Sequence, residues 1–161
     1  MNGDQTWLPA LVLLADHGGD WNLYLDAVYG YFRQDFVVSA PLWEGTRVAL
    51  KRHPVEQGKE ATFWHLISEG RTEADRLPDI RRCERIRWPR PIIEAVRAGR
   101  VCCWRNQREH EARVVIALDD FSYVVVLAQR KNYVILWTAY WIEREHRRKK
   151  LRKEYEEATK C

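Results

Sequence analysis

The segment VCCWRNQREHEARVVIALDDFSYVVVLAQRKNYVILWTAYW, residues 101–141, decides the fold. Runs rich in β-branched and aromatic residues recur along it, at residues 101–105, 112–118, 123–130 and 133–141. Short polar turns follow two of these runs, at Asp119-Asp120 and at Lys131-Asn132. Because strands joined by short turns pair with each other, the segment predicts a four-stranded antiparallel meander.

The preceding stretch, residues 58–99, predicts helices that pack on this sheet. Its sequence is GKEATFWHLISEGRTEADRLPDIRRCERIRWPRPIIEAVRAG. Apolar residues at helical spacing predict one helix at residues 59–69, and a second helix begins at Asp79, whose carboxylate is a favoured N-cap. A third helix is expected from Pro91, and Gly99 closes it.

The first 57 residues predict a strand, helix and strand elaboration. The apolar run at residues 7–15 indicates a buried strand or a helical turn. Asp20 is a candidate N-cap for a helix that reaches about Gln34, and two strands follow at residues 36–39 and 46–52.

These expectations describe one α+β domain over residues 1–161. Residues 1–57 form the N-terminal elaboration, and residues 58–142 form the core, in which helices pack on the C-terminal four-stranded antiparallel sheet. Residues 143–161 form a highly charged C-terminal helix.

Composition favours an anionic ligand over a membrane surface. Hydrophobic residues make up 46% of the 161 residues, which is enough for a substantial core, and the net charge is +4. Basic residues are concentrated at residues 81–113, no apolar run has the length of a spanning helix, and the amino terminus lacks a secretion signal pattern. The four cysteines form no CxxC pair and no Asp, Glu and His cluster has ligand spacing, so reduced thiols, a cytoplasmic location and no metal or cofactor are expected.

His65 and a run of arginines are candidate functional side chains. His65 follows Phe63 by two positions, so it is expected to project away from the buried side of its helix. It is then either an exposed histidine without a role or a histidine presented to a cleft, where it moves protons near neutral pH. The neighbouring arginines are Arg81, Arg82, Arg85 and Arg87. They are either a solvated face paired with acids or a site for bidentate phosphate contacts.

The last predicted strand carries two neighbouring hydroxyl groups. Thr138 and Tyr140 are two positions apart and share one face of the sheet, while Trp137, Ala139 and Trp141 take the other. The two hydroxyls belong either to a polar sheet face or to hydrogen-bond donors on the floor of a cleft.

With these elements in place, residues 58–142 resemble the barnase–EndoU–colicin–RelE-like nuclease superfamily, and its phage and prophage branches in particular. The resemblance rests on FWHLISEG (residues 63–70), RRCERIRWPRPII (81–93) and YVVVLAQRKNYVILWTAY (123–140). Members place a helix-borne histidine or basic residue over an antiparallel sheet, and a Thr or Ser of the last strand commonly joins the active site. The residues at the matching places are His65, Arg82 or one of its neighbouring arginines, and Thr138.

The resemblance implies a toxin-like, metal-independent endoribonuclease. Such cleavage requires a base for the 2′-OH proton, an acid for the leaving 5′-oxygen and cationic donors for the phosphorane. The expected catalytic residues are His65, Arg82, Arg85, Thr138 and Tyr140. The expected substrate-binding residues are Arg81, Arg87, Trp64, Trp88, Lys131 and Tyr133, of which the aromatic ones stack on unpaired bases. The expected partners are RNA, with tRNA as one candidate, and an acidic antitoxin or immunity protein.

The alternative is a non-catalytic module that binds nucleic acid or protein on a degenerate nuclease scaffold, such as an inhibitor or adaptor encoded by a phage or mobile element. The same arginines and tryptophans would then form an interface. Convergence of His65, the arginines and Thr138 in one cleft would favour catalysis, and their separation would favour binding alone.

Overall fold

The computed structural model describes residues 5–70 and 72–161, and its architecture is α+β, as expected. The first four residues of the N-terminal elaboration and Arg71 of the central stretch lie outside the described residues. The main elements of the described chain are five α-helices and one five-stranded antiparallel sheet near the C-terminus. No helix in this described part is long and apolar enough to cross a membrane.

The N-terminal part is helical. A short 3-10 helix, Leu14–His17, precedes helix α1, Trp21–Phe32. Asp20 caps α1, because its carboxylate accepts a hydrogen bond from the Leu23 amide at 3.0 Å, and the N-cap prediction is confirmed.

The predicted strand at residues 36–39 is wrong. Residues Arg33–Val38 form a π-helix that continues α1. Phe32 and Phe36 are both buried, and their ring centroids lie 5.9 Å apart on the inner side of this continuous helix. Packing of two phenylalanines four positions apart therefore outweighs the strand preference of the β-branched residues.

The other two N-terminal strand predictions are also corrected. Residues 7–15 form no strand: the segment is irregular until the 3-10 helix begins at Leu14, so the helical-turn alternative holds only for its last two residues. The Val12 amide donates to the Glu84 carbonyl. In residues 46–52 a two-residue strand pairs with another short strand, and Ala49 forms an isolated parallel bridge with Ile135. The two strands are β1, Leu42–Trp43, and β2, Thr46–Arg47.

The central stretch forms three short helices and a small hairpin. In chain order they are α2 (Ala61–Ile67), β3 (Ser68–Glu69), β4 (Leu77–Pro78), α3 (Ile80–Glu84) and α4 (Pro89–Ala95). β3 pairs with β4, which brings the end of α2 next to the start of α3. Asp79 accepts a hydrogen bond from the Arg82 amide, as predicted for an N-cap, while α4 begins at Pro89 rather than at Pro91.

The C-terminal part forms the meander that the sequence predicts, with one additional strand. The elements are β5 (Cys102–Arg108), β6 (Glu111–Ala117), β7 (Tyr123–Gln129), β8 (Val134–Trp141), α5 (Glu145–Glu157) and β9 (Thr159–Lys160). The strand order is β8-β7-β6-β5-β9, and every pairing is antiparallel. The four-strand expectation is therefore corrected to five, because the chain after α5 returns to pair with β5.

Hydrophobic cores lie on both faces of the sheet. The first core contains residues of α1, α2 and α4 together with Ile116 of β6 and Val125 of β7. The second core contains Trp104, Val115 and Val124, which lie under Leu151 and Tyr155 of α5. β6 and β7 are therefore covered on both faces, and the helices of the central stretch pack against one of these faces.

The outer strand β8 is irregular at one residue. Leu136 pairs with Leu127 and Thr138 pairs with Val126, so Trp137 has no partner opposite it. Trp137 packs with the second core instead of lying on the face of Ala139 and Trp141, and this part of the expectation is wrong.

A disulfide joins Cys103 to Cys161, which corrects the expectation of four reduced thiols. The bond holds the chain after α5 against β5, where the Cys161 amide also donates to the Cys103 carbonyl. The linked residues are 58 positions apart. Closing a loop of that length in the unfolded chain stabilises the fold by about 4 kcal/mol in the chain-entropy account.

Candidate functional site

The β3–β4 hairpin positions the candidate site at the edge of β8. The Asp79 amide donates to the Ile67 carbonyl at 2.7 Å, which joins the end of α2 to the start of α3. Gly70 has φ +149°, and a Cβ there would lie 2.8 Å from the Asp75 carbonyl oxygen, so only glycine fits this approach. The hairpin thereby carries Arg76 towards His65 of α2.

His65 lies between Arg76 and the indole of Trp137. The Arg76 guanidinium donates from Nη1 to His65 Nδ1, and the His65 and Trp137 ring centroids are 5.4 Å apart. Because a guanidinium has no acceptor atom, Nδ1 must be the acceptor and the neutral ring carries its proton on Nε2. His65 is half-buried, on the side of α2 away from its buried residues Phe63 and Leu66.

Arg82 lies beside the same edge and contacts both hydroxyl residues of β8. Its Nη1 donates to Thr138 Oγ1 at 3.4 Å, and its Cζ lies 5.4 Å from the centre of the Tyr140 ring. Thr138 pairs with Val126 and Tyr140 pairs with Val124, so the two side chains share a face as predicted. We call His65, Arg76, Arg82, Thr138 and Tyr140 the His65 cluster.

The His65 cluster is strongly cationic. Burial and the positive charges of Arg76, Arg82, Lys51 and Arg113 lower the pKa of His65 to about 4. His65 is therefore a neutral ring at pH 7, surrounded by arginines that are always charged. A phosphate bound among these cations would offset their charge and raise the pKa of His65 towards its ordinary value.

The lowered pKa of His65 predicts a loss of stability in mild acid. Between pH 6.5 and about 4 the unfolded chain binds a proton at His65 that the folded chain excludes, so the free energy of unfolding falls as the pH is lowered through that window. We expect urea unfolding at pH 7 and pH 4.5 to show a larger decrease in the wild type than in His65→Gln, which does not titrate. An equal decrease in both proteins would contradict the assignment.

Arg85 and Trp88 lie inside the protein rather than at the His65 cluster. Arg85 is 8% exposed, and its Cζ lies 4.2 Å from the Trp141 ring centre and 5.2 Å from that of Trp88. Trp88 is 7% exposed, and its Nε1 donates to the Pro9 carbonyl. Neither side chain is available to contact a phosphate or to stack on a base, because both are enclosed by core residues.

The remaining arginines of the run face away from the cluster. Arg81 is exposed and pairs with Glu84 at 3.2 Å, while the Arg87 guanidinium lies 4.9 Å from the ring centre of Tyr31 in α1. Trp64 is half-buried, with its Nε1 donating to the Glu56 carbonyl, and it lines a cavity beside His65.

Lys131 and Tyr133 lie at the turn between β7 and β8. Tyr133 is exposed, and Lys131 lines an open cleft of about 770 Å³ at the β5–β6 hairpin. Arg113 lines the same cleft and its Cζ lies 6.0 Å from the Trp137 ring centre, which connects the cleft to the His65 cluster. Glu111 pairs with Arg113 at 3.0 Å, so part of the positive charge there is neutralised.

Sequence reasoning missed Arg76, Lys51, Arg113 and Trp137. Arg76 lies outside the run of arginines and reaches His65 only because β3 and β4 pair. Trp137 reaches His65 because the register shifts by one residue in β8. Neither feature has a local sequence signal.

Comparison with known proteins gives no relative for this chain: no family model, no curated protein and no solved structure matches it. Within residues 5–70 and 72–161, no three His, Cys, Asp or Glu side chains are grouped in a way that would hold a metal ion.

Proposed function

We propose that the chain is a toxin-like endoribonuclease that cleaves RNA by 2′-OH transesterification without a metal ion. One observation carries the proposal: His65, Arg82 and Thr138, which lie far apart in the sequence, come together with Arg76 at the edge of β8. A proton-transfer group among cationic donors is what the reaction requires. The resemblance to the barnase–EndoU–colicin–RelE-like superfamily, in its phage and prophage branches, agrees with this arrangement.

In the proposed reaction, the scissile phosphate binds between Arg76 and Arg82. Arg76 turns from His65 Nδ1 to a phosphate oxygen, which frees Nδ1 and raises the basicity of the ring. His65 then accepts the 2′-OH proton, and the 2′-oxygen attacks phosphorus. The bond from phosphorus to the 5′-oxygen breaks, water protonates that oxygen, and a 2′,3′-cyclic phosphate remains.

The other members of the cluster stabilise this arrangement. Arg82 donates to the phosphorane oxygens, and Thr138 and the Tyr140 ring hold the Arg82 guanidinium at the edge of β8. Arg85 and Trp88 have no part in the proposal because they are buried.

The proposal includes a cellular setting. The substrate is RNA, with tRNA as one candidate, and an acidic antitoxin or immunity protein would cover the cationic surface. The proposed location is the cytoplasm, because that is where the RNA substrate is found.

The test is incubation of the protein with total tRNA, a mixed-sequence RNA and DNA of the same sequence, in the presence of EDTA. We expect RNA fragments with 2′,3′-cyclic phosphate ends, intact DNA, and a loss of about 10²- to 10⁴-fold in His65→Ala. His110→Ala is the matched control, because His110 is exposed at the β5–β6 hairpin. Cleavage at the wild-type rate in His65→Ala would overturn the proposal.

A second candidate, a non-catalytic binding module, is favoured by one contact. Arg76 occupies Nδ1 of His65, so the ring has no free acceptor until that guanidinium moves. RNA that is bound tightly but left intact in the same assay would establish this alternative.

A further inference from the structure

A cavity of about 410 Å³ adjoins the His65 cluster. It lies between α1, the loop that precedes α2, and the β3–β4 hairpin, and His65 and Arg76 line one part of it. A volume of this size accommodates a small ligand of the dimensions of one nucleoside. The phosphate site proposed above therefore opens into a space that no part of the cleavage mechanism uses.

One part of the wall of this cavity is flat and apolar. Two indoles, those of Trp21 and Trp64, line it together with Pro54 and Pro78. Trp21 is 38% exposed, although it begins a helix whose Tyr24 and Leu25 are buried. Indole rings beside a phosphate site form a stacking surface that accepts any unpaired base.

Polar groups without partners line the same cavity. Ser68 is 7% exposed, and its hydroxyl makes no hydrogen bond with another residue in the described part of the chain. The side-chain amides of Asn22 and Gln57 likewise have no bonded partner within residues 5–70 and 72–161, and Glu56 adds a carboxylate acceptor. Groups of this kind recognise the donor and acceptor edge of a nucleobase.

We propose that this cavity binds one unpaired RNA base, whose adjoining phosphate contacts Arg76 and His65. The inference rests on the proposed function for what happens to the phosphate, but binding of the nucleotide itself requires no cleavage. Trp21 and Asn22 come from α1, so the N-terminal elaboration provides the base selectivity of the site.

The test is isothermal titration calorimetry with the four nucleoside 3′-monophosphates, and with ribose 5-phosphate as the ligand that lacks a base. We expect at least one nucleotide to bind about tenfold or more tightly than ribose 5-phosphate. Trp21→Ala is expected to weaken the binding of that nucleotide by about 5- to 150-fold. The affinity for ribose 5-phosphate should be the same in this variant as in the wild type. Asn22→Ala is expected to change which base is preferred, because the Asn22 amide lines the cavity. Asn22 is exposed, so its replacement leaves the core intact.

Leu23→Ala is the matched control, because Leu23 lies in the same turn of α1, is 60% exposed and does not line the cavity. Equal affinity for ribose 5-phosphate and all four nucleotides, or unchanged nucleotide affinity in Trp21→Ala, would overturn the inference. Base-dependent binding by a protein that leaves RNA intact would support the cavity and refute the nuclease. Cleavage of RNA by a protein that shows no base-dependent binding would support the nuclease and refute the base-binding cavity.

Discussion

Replacing Arg82 with alanine is expected to lower the rate of RNA cleavage by about 100- to 1000-fold, because the variant removes a cationic donor aimed at the charge that develops on the phosphorane. Arg82 is half-exposed, and its backbone amide, which Asp79 caps, remains in the variant. The free energy of unfolding should therefore change little while kcat/KM falls. The measurement is initial-rate cleavage of a fluorescent RNA oligonucleotide, with urea unfolding of both proteins alongside.

Two further variants test whether the expected effect is specific to the guanidinium of Arg82. Arg82→Lys keeps the charge but loses the planar guanidinium, so we expect only partial recovery. Arg97→Ala removes an exposed arginine beyond α4 and controls for a general loss of positive charge. An Arg82→Ala protein that cleaves as fast as Arg97→Ala would contradict the role given to Arg82.

Replacing Glu84 with alanine is expected to destabilise the fold by about 3–5 kcal/mol, because it leaves Arg85 charged and unpaired in the core. Glu84 is buried and lies 3.6 Å from Arg85, whose Nε has no hydrogen-bond partner within the described residues. The Arg85 guanidinium therefore already lacks one hydrogen-bond partner, and Glu84→Ala also removes the carboxylate that offsets its charge. Urea unfolding at pH 7 measures the change.

The pair also predicts a compensating double variant. Glu84→Leu combined with Arg85→Met removes both charges, so we expect it to recover most of the lost stability. Glu94→Ala is the matched control: Glu94 pairs with Arg90 at 2.9 Å but is exposed, and breaking such a pair changes stability by about 0–1 kcal/mol. A Glu84→Ala protein no less stable than Glu94→Ala would show that Arg85 does not depend on its neighbour.

The sheet could be predicted from the sequence because its signals are local. The strands β6, β7 and β8 each show their own run of β-branched residues, and Asp20 and Asp79 cap the helices that their sequences indicate. The strand β9 had no such signal, since Thr159–Lys160 becomes a strand only by pairing with β5. The π-helix at Arg33–Val38 was missed because strand preference in that segment is overridden by packing of Phe36.

The candidate site could be predicted only in part, for a related reason. His65 can be identified because helical spacing gives its position in α2, and Thr138 and Tyr140 can be identified because strand alternation places them on one face. Arg82 and Arg85 belong to the same run of arginines, and no local signal distinguishes them. The Arg85 guanidinium nevertheless packs on the buried side against Trp141, while Arg82 donates to Thr138. The difference depends on which side of the short helix α3 meets the sheet, and that is a tertiary property.

The burial of β6 and β7 on both faces has a consequence for how this chain can diverge. Residues 114–118 and 123–128 are all buried, whichever face each side chain takes. A strand covered on one side tolerates polar replacements at every second position, but these two buried stretches have no such positions. Neutral polar replacements are therefore excluded from these stretches and fall on exposed positions elsewhere, such as the loops and α5, where a lineage can change its surface without changing its scaffold.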